Sequence, residues 1–331
     1  MDNYLQTQLD SLVDLYNIMK KKYRWKANDI SLRFAAYLFC LRSKPFDESQ
    51  YDEMLKYIKK NTGLFSSHRT QAFTLTALLI TRFDDPKQAH SDLLDYESLM
   101  KNEGFKSSQY LSIAAYALLL TCPKNSTPQR VKKAFEIYKR MKENHYWLTS
   151  ADDYPVAVLL SDSEDHLDKI EKEMESCYQQ LNDAGLRKSN GLQFLSHLLT
   201  FSPEATERKV ARCKETMNYL KQHKLGVSST YYGAIGFLAL LGEEADKAKE
   251  EVREAVDYLK NIKGFKWHNK DLNILIVASM ISNKYMEDTK HQQMLETTLG
   301  ISIQALIAAQ TAALIAATSA AAAASAASAS G

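Results

Sequence analysis

The sequence predicts an all-α chain, an array of about seven helical hairpins. Two observations carry the prediction: three sequence ladders share one period of about 40 residues, and turn-forming residues are scarce, with 11 Gly and 6 Pro in 331 residues. An all-β fold needs more punctuation than that.

The first ladder is apolar. Segments such as Phe34–Phe39, Leu75–Ile80, Ala114–Leu120, Val156–Leu160 and Phe237–Leu241 each hold a small residue ahead of large aliphatic ones. The small residues are Ala36, Ala77, Ala117, Ala157, Ser196, Ala239 and Ala278, at steps of 39 to 43. The second ladder marks breaks at Gly63, Gly104, His145, Gly185, Lys224 and Gly264, at steps of 39 to 41. Glycine followed by an apolar residue is a helix C-cap, because glycine takes the left-handed conformation cheaply and the next side chain packs back on the last turn. At His145 and Lys224 that turn is expected at some cost. The third ladder supplies N-caps a few residues later: Ser66-Ser67, Ser107-Ser108, Thr149-Ser150, Ser189-Asn190, Ser228-Ser229 and Asn269. Pro45, Pro86, Pro123, Pro128 and Pro203 fall between the two helices of a unit, where a helix must stop.

Each unit therefore reads as an apolar helix, a loop, an amphipathic helix and a capped turn. In 243–263, Val252, Val256, Leu259 and Ile262 share one face opposite Lys and Glu. In units one, three, six and seven the apolar helix is apolar almost all round, so it is expected to be covered on every side. An open concave row would meet water. The array is thus expected to be a strongly curved α/α solenoid or a closed toroid, or to have its concave face filled.

Residues 1–26 form an N-terminal capping helix, with Leu9, Leu12, Leu15 and Met19 on one stripe. Its basic end, Lys20 to Lys26, opposes the helix dipole. Residues 1–299 read as a single repeat domain and 300–331 as an Ala/Ser-rich C-terminal helix and tail. In the tail Ile301, Ile303, Leu306, Ile307, Leu314 and Ile315 stand among Ala, Ser, Thr and Gln, and no charge follows Glu296. A small-residue helix docks closely on other helices, so the tail is suited to plug the array. Self-association through Ile301–Ala317 is an alternative. Membrane contact is disfavoured, because alanine transfers weakly into lipid and Gln304 and Gln310 oppose it.

The net charge of +2 comes from 42 basic and 40 acidic residues mixed along the chain. This argues against nucleic acid as a partner. Cys40, Cys122, Cys177 and Cys213 form no close pair and read as buried reduced thiols. With no signal-peptide pattern at Met1–Gln6, a cytoplasmic location is expected.

Trp147-Leu148-Thr149-Ser150-Ala151-Asp152-Asp153-Tyr154-Pro155, then Leu192-Gln193-Phe194-Leu195-Ser196-His197, then Leu299-Gly300-Ile301-Ser302-Ile303 with its alanine tail together resemble a bacterial family of uncharacterised proteins catalogued as "domain of unknown function 4003". The resemblance covers nearly the whole chain. It implies a bacterial, cytoplasmic, all-helical protein and supplies no functional residues.

Chemistry-bearing candidates are few. No phosphate-loop, dinucleotide, nucleophile-elbow or zinc-protease motif occurs, so no metal and no cofactor is expected. Asp152 and Asp153 open an apolar helix, with His145 and Tyr154 nearby. They read either as an acid/base pair or as helix caps. Neighbouring helical residues point about 100° apart, which opposes a shared ligand. His197, one turn beyond Gln193, sits where other units hold an apolar residue and needs a partner. Its offset from Asp153 along parallel helices is about 6–8 Å. Two function classes follow. One is a non-catalytic scaffold binding a protein or peptide. The other is an enzyme on an α/α toroid using Asp152, Asp153 and His197, with Gln193, His145 and Tyr154 as binding residues. The apolar helices disfavour a large polar pocket, so the scaffold is the preferred expectation.

Overall fold

The computed structural model describes residues 1–63, 66–266 and 270–286. The tail at 300–331 and the cap at Asn269 lie outside them. Every regular element among the described residues is helical. No helix there is long and apolar enough to cross a membrane.

A leading helix, α1 (Asn3–Tyr23), is followed by apolar helices alternating with amphipathic ones. The apolar helices are α2 (Asp29–Leu41), α5 (Ala72–Arg82), α7 (Gln109–Thr121), α9 (Tyr154–Leu160), α11 (Asn190–Leu199), α13 (Gly233–Ala239) and α15 (Lys270–Met286). The amphipathic helices are α3 (Glu48–Lys60), α6 (Pro86–Glu103), α8 (Thr127–Asn144), α10 (Leu167–Asp183), α12 (Thr206–Gln222) and α14 (Ala245–Leu259). One extra turn, α4 (Ser67–Thr70), precedes α5.

Local chemistry explains the boundaries. Asp2, Asn28, Asp47, Ser66, Asp85, Ser108 and Ser189 each accept a backbone N–H in the first turn of the helix they precede. These bonds satisfy donors that have no partner within the helix. Ser228 makes no such side-chain bond. Its N–H instead donates to Asp271 Oδ2 at 3.0 Å. At the other ends, Gly104 has φ of 126°, and the Phe105 N–H reaches back to the Met100 carbonyl. Lys224 makes the same turn with φ of 62°, a conformation that costs a side chain about 1–2 kcal/mol. His145 departs from the pattern. Its φ is −133°, and the chain leaves α8 through a turn that exposes Tyr146 and Trp147.

The small residues of the apolar ladder, Ala36 through Ala278, are all buried. Amphipathic helices cover them from outside: α6 on α7, α8 on α9, α10 on α11, α12 on α13 and α14 on α15. Apolar helices also meet one another, as in α2 on α5, α7 on α9 and α13 on α15. A very close approach occurs at Gly191, where a Cβ would lie 1.8 Å from the Ser229 carbonyl oxygen.

The two ends of the described chain touch. α1 packs along α2 and also on α14. Lys22 pairs with Glu48 and Asp52 of α3. Lys284 of α15 pairs with Asp2 at 2.5 Å. Tyr37 and Ser279 share a hydrogen bond of 2.7 Å between α2 and α15. Arg33, completely buried, donates to Asp29 at 2.8 Å, to Asn273 Oδ1 at 3.3 Å and to the Gly264 carbonyl. The Tyr16 and Phe265 rings flank its guanidinium at 4.8 and 4.3 Å.

Candidate functional site

The structure brings together only some of the residues singled out from sequence. Asp153 lies in a 3-10 turn ahead of α9, and its Oδ2 accepts from the Ser150 N–H at 3.0 Å. Its Oδ1 is 3.8 Å from His197 Nδ1. That is shorter than the offset along the helix axes. Both residues are buried. Burial, reinforced by the charge of Asp152, pushes the Asp153 carboxyl well above its usual value. Burial, with the charge of His145, pushes the His197 imidazole down to about 3. At neutral pH the imidazole is therefore uncharged, and burial disfavours the charged form of the carboxyl. Gln193 donates to Thr149 Oγ1 at 2.7 Å, and Thr149 passes the bond to the Met141 carbonyl at 2.9 Å. His197 Nδ1 and Gln193 Oε1 have no hydrogen-bond partner.

The other candidates diverge. Asp152 turns to the Ser150 hydroxyl and lies 3.5 Å from Asn190 Nδ2. His145 faces Glu175 at 3.0 Å and packs at a tilt against the Tyr178 ring. Tyr154 packs edge-on against Phe105 and Tyr138, and its hydroxyl accepts from the Lys106 N–H at 3.2 Å. The carboxylates of Asp152 and Asp153 thus point to different partners, as helical geometry requires. Among the described residues no group of three or more His, Cys, Asp or Glu side chains is arranged to hold a metal ion.

A second constellation was not singled out from sequence. Between α4, α6 and α7 lies a cleft of about 500 Å³, with Ser66, Ser67, Thr70, Lys101, Ser107 and Gln109 in its lining and Glu97 buried beneath. Glu97 Oε1 is 2.5 Å from His68 Nε2. His68 Nδ1 is 3.1 Å from His90 Nε2. Both histidines are buried. Lys101 Nζ lies 3.5 Å from Glu97 Oε2, and Ser112 links to Ser67 at 2.8 Å.

The electrostatics follow from these contacts. Burial alone pushes the Glu97 carboxyl up, but the bond to His68 and its charge, helped by Ser112 and Lys101, outweigh this and hold it below its usual value. Burial pushes the His90 imidazole down to about 4, with His68 adding to the effect and Glu97 opposing it. With Glu97 ionised, His68 Nε2 is the donor toward it, and a second proton sits between His68 Nδ1 and His90 Nε2. His68 turns its two nitrogens to different partners, so the three groups form a chain and do not converge on one point as metal ligands must.

A signal for this cluster exists in the sequence. His90, Leu93 and Glu97 fall at i, i+3 and i+7 on the buried stripe of α6, beside Ala89, Tyr96 and Met100. Two polar residues in an otherwise apolar stripe need buried partners.

Fold and site together define an all-helical hairpin protein with a buried carboxylate–imidazole chain at the foot of a polar cleft. The chain belongs to the family described as "Protein of unknown function (DUF4003)", whose profile matches residues 15–312. It is 30% identical over 307 residues to the "Uncharacterized protein YeaA" of Bacillus subtilis (strain 168), covering 91% of each chain. No solved structure matches it. The resemblance drawn from Trp147–Pro155 and Leu192–His197 stands.

Proposed function

We propose that the protein is a closed α/α ring of about seven hairpins that binds a small polar molecule in the cleft over Glu97. The observation that carries the ligand reading is the cleft itself, a polar hollow of about 500 Å³ within the size range of small-molecule sites. A buried carboxylate there is held by a hydrogen-bonded imidazole pair. Such an arrangement costs desolvation free energy, and clefts with perturbed titratable groups are preferred functional sites. The ring reading is supported by the contacts that join Arg33, Tyr37 and Asp2 to Asn273, Ser279 and Lys284. In a ring, α1 completes the outer row between α14 and α3. Saturation-transfer NMR with monosaccharides, amino alcohols and amino acids tests the ligand reading. Ser107 is exposed at the cleft, so Ser107→Trp fills the space without touching the core. Signals present with wild type and lost in Ser107→Trp are expected; no transfer from any compound would sink the reading.

A scaffold that docks a protein or peptide is the second reading. It is favoured by Trp25, Tyr146 and Trp147, which are 87%, 62% and 92% exposed in the turns leading into α2 and α9. Exposed aromatics of this size are typical anchors of interfaces. Trp25→Ala with Trp147→Ala is expected to abolish partner capture and leave the melting temperature unchanged. Retention of every partner would remove this reading. An enzyme using Asp152, Asp153 and His197 together draws support from the Asp153–His197 approach; the burial of both and the divergence of Asp152 weigh against it.

A further inference from the structure

The chemistry of the cleft narrows the ligand. Among the described residues its lining is mostly hydroxyl and amide, with Glu97 and Lys101 as charged groups and Leu111 as an apolar one, which suits a polar ligand. Glu97 is the one carboxylate in that lining among the described residues. Its Oε1 is committed to His68. Its Oε2 faces Lys101 Nζ at 3.5 Å, longer than the roughly 2.7–2.9 Å of a strong charge-assisted bond. Lys101 is on the last turn of α6, and its side chain is 44% exposed. It is therefore a loose, solvent-facing counter-ion over an oxygen that can accept more.

We propose that the cleft binds a small polyhydroxylated amine, with the ligand's ammonium on Glu97 Oε2 in the place Lys101 now occupies and its hydroxyls on the serine and threonine walls. This assignment rests on the small-ligand reading above and adds the charge of the ligand. The His90–His68 chain serves as a positioning device. It fixes the Glu97 carboxylate so that one oxygen stays turned to the cleft. Lys101 is a placeholder that any cationic ligand must displace, while a neutral sugar need not.

Glucosamine, glucose and N-acetylglucosamine separate these effects, because they share a ring and differ in charge. Calorimetric titration of the full chain at low salt is expected to show glucosamine binding at least about tenfold tighter than either neutral sugar. Lys101→Ala, a change at an exposed position, is expected to tighten glucosamine several-fold and leave glucose unaltered. Glu97→Gln is expected to erase the preference for the amine, with its fold checked by circular dichroism. Equal affinity for glucose and glucosamine, or weaker glucosamine binding in Lys101→Ala, would overturn the amine assignment and leave the small-ligand reading in place. If none of the three sugars binds wild type, the amine assignment falls. The small-ligand reading then falls with it only if the wider NMR panel is also silent.

Discussion

Arg33 Nη1 lies 3.3 Å from Asn273 Oδ1, although 240 positions separate the two residues and both are buried. A guanidinium is costly to bury unless its N–H groups find acceptors. Asp29, the Gly264 carbonyl and Asn273 provide them. Arg33→Met removes the donor from Asn273 Oδ1 and the Gly264 carbonyl, while Asp29, partly exposed, keeps Tyr16 and Lys20. The expected loss is about 1–3 kcal/mol of unfolding free energy, read as a lower urea midpoint. A midpoint unchanged from wild type would show that the contact contributes nothing to stability.

Gly191 allows α11 to approach the backbone at Ser229. A Cβ there would sit 1.8 Å from a carbonyl oxygen, and backbone cannot move aside as a flexible side chain can. Gly191→Ala should therefore cost more than the usual overpacking penalty of about 1–3 kcal/mol, and a fall in melting temperature measures it. An alanine accepted without loss would mean that α11 and the following turn are not packed this closely.

Lys224 makes a left-handed turn with φ of 62°, where other units use glycine. Lys224→Gly is expected to raise stability by about 0.5–1 kcal/mol, the steric relief being partly offset by the greater freedom of glycine in the unfolded chain. Thermal denaturation decides the sign, and destabilisation would contradict the account.

Two buried histidines give the protein an acid limit. His90 and His197 are pushed from 6.5 down to about 4 and about 3. The unfolded chain then binds more protons than the folded one between those values and 6.5, so stability falls as pH drops through that window. The gap in urea midpoint between wild type and His90→Asn should narrow as pH falls from 6.5 toward 4. A gap that widens would reverse the assignment.

Asp153 acts in the opposite sense. Its carboxyl is raised well above 3.8, so its contribution is fully present below 3.8 and is lost as pH rises through the folded value. Asp153→Asn keeps an acceptor for the Ser150 N–H and removes the charge. Its stability relative to wild type should therefore rise progressively with pH above 3.8. A difference that moves in favour of wild type as pH rises would overturn the account.

Helical content and helix ends were legible because they depend on near neighbours. Ser66, Ser108 and Ser189 cap, and Gly104 and Gly185 turn, through atoms a few positions away. The Asp153–His197 approach was partly legible, since both residues sit at defined places on successive apolar helices. The Glu97 cleft was not read, because His68 and Glu97 are 29 positions apart on different elements and carry no shared motif. The exit of His145 was also missed: side-chain packing against Glu175 and Tyr178 outweighs the turn its neighbours in the ladder adopt.

The seam at Arg33 also has a consequence for synthesis. α1 and α2 leave the ribosome first, but Gly264 and Asn273 emerge more than two hundred residues later. Until then the guanidinium has only Asp29 and the Tyr16 ring, and it must stay hydrated. The N-terminal helices therefore cannot complete the acceptor set of Arg33 until the segment from Gly264 to Asn273 has been made.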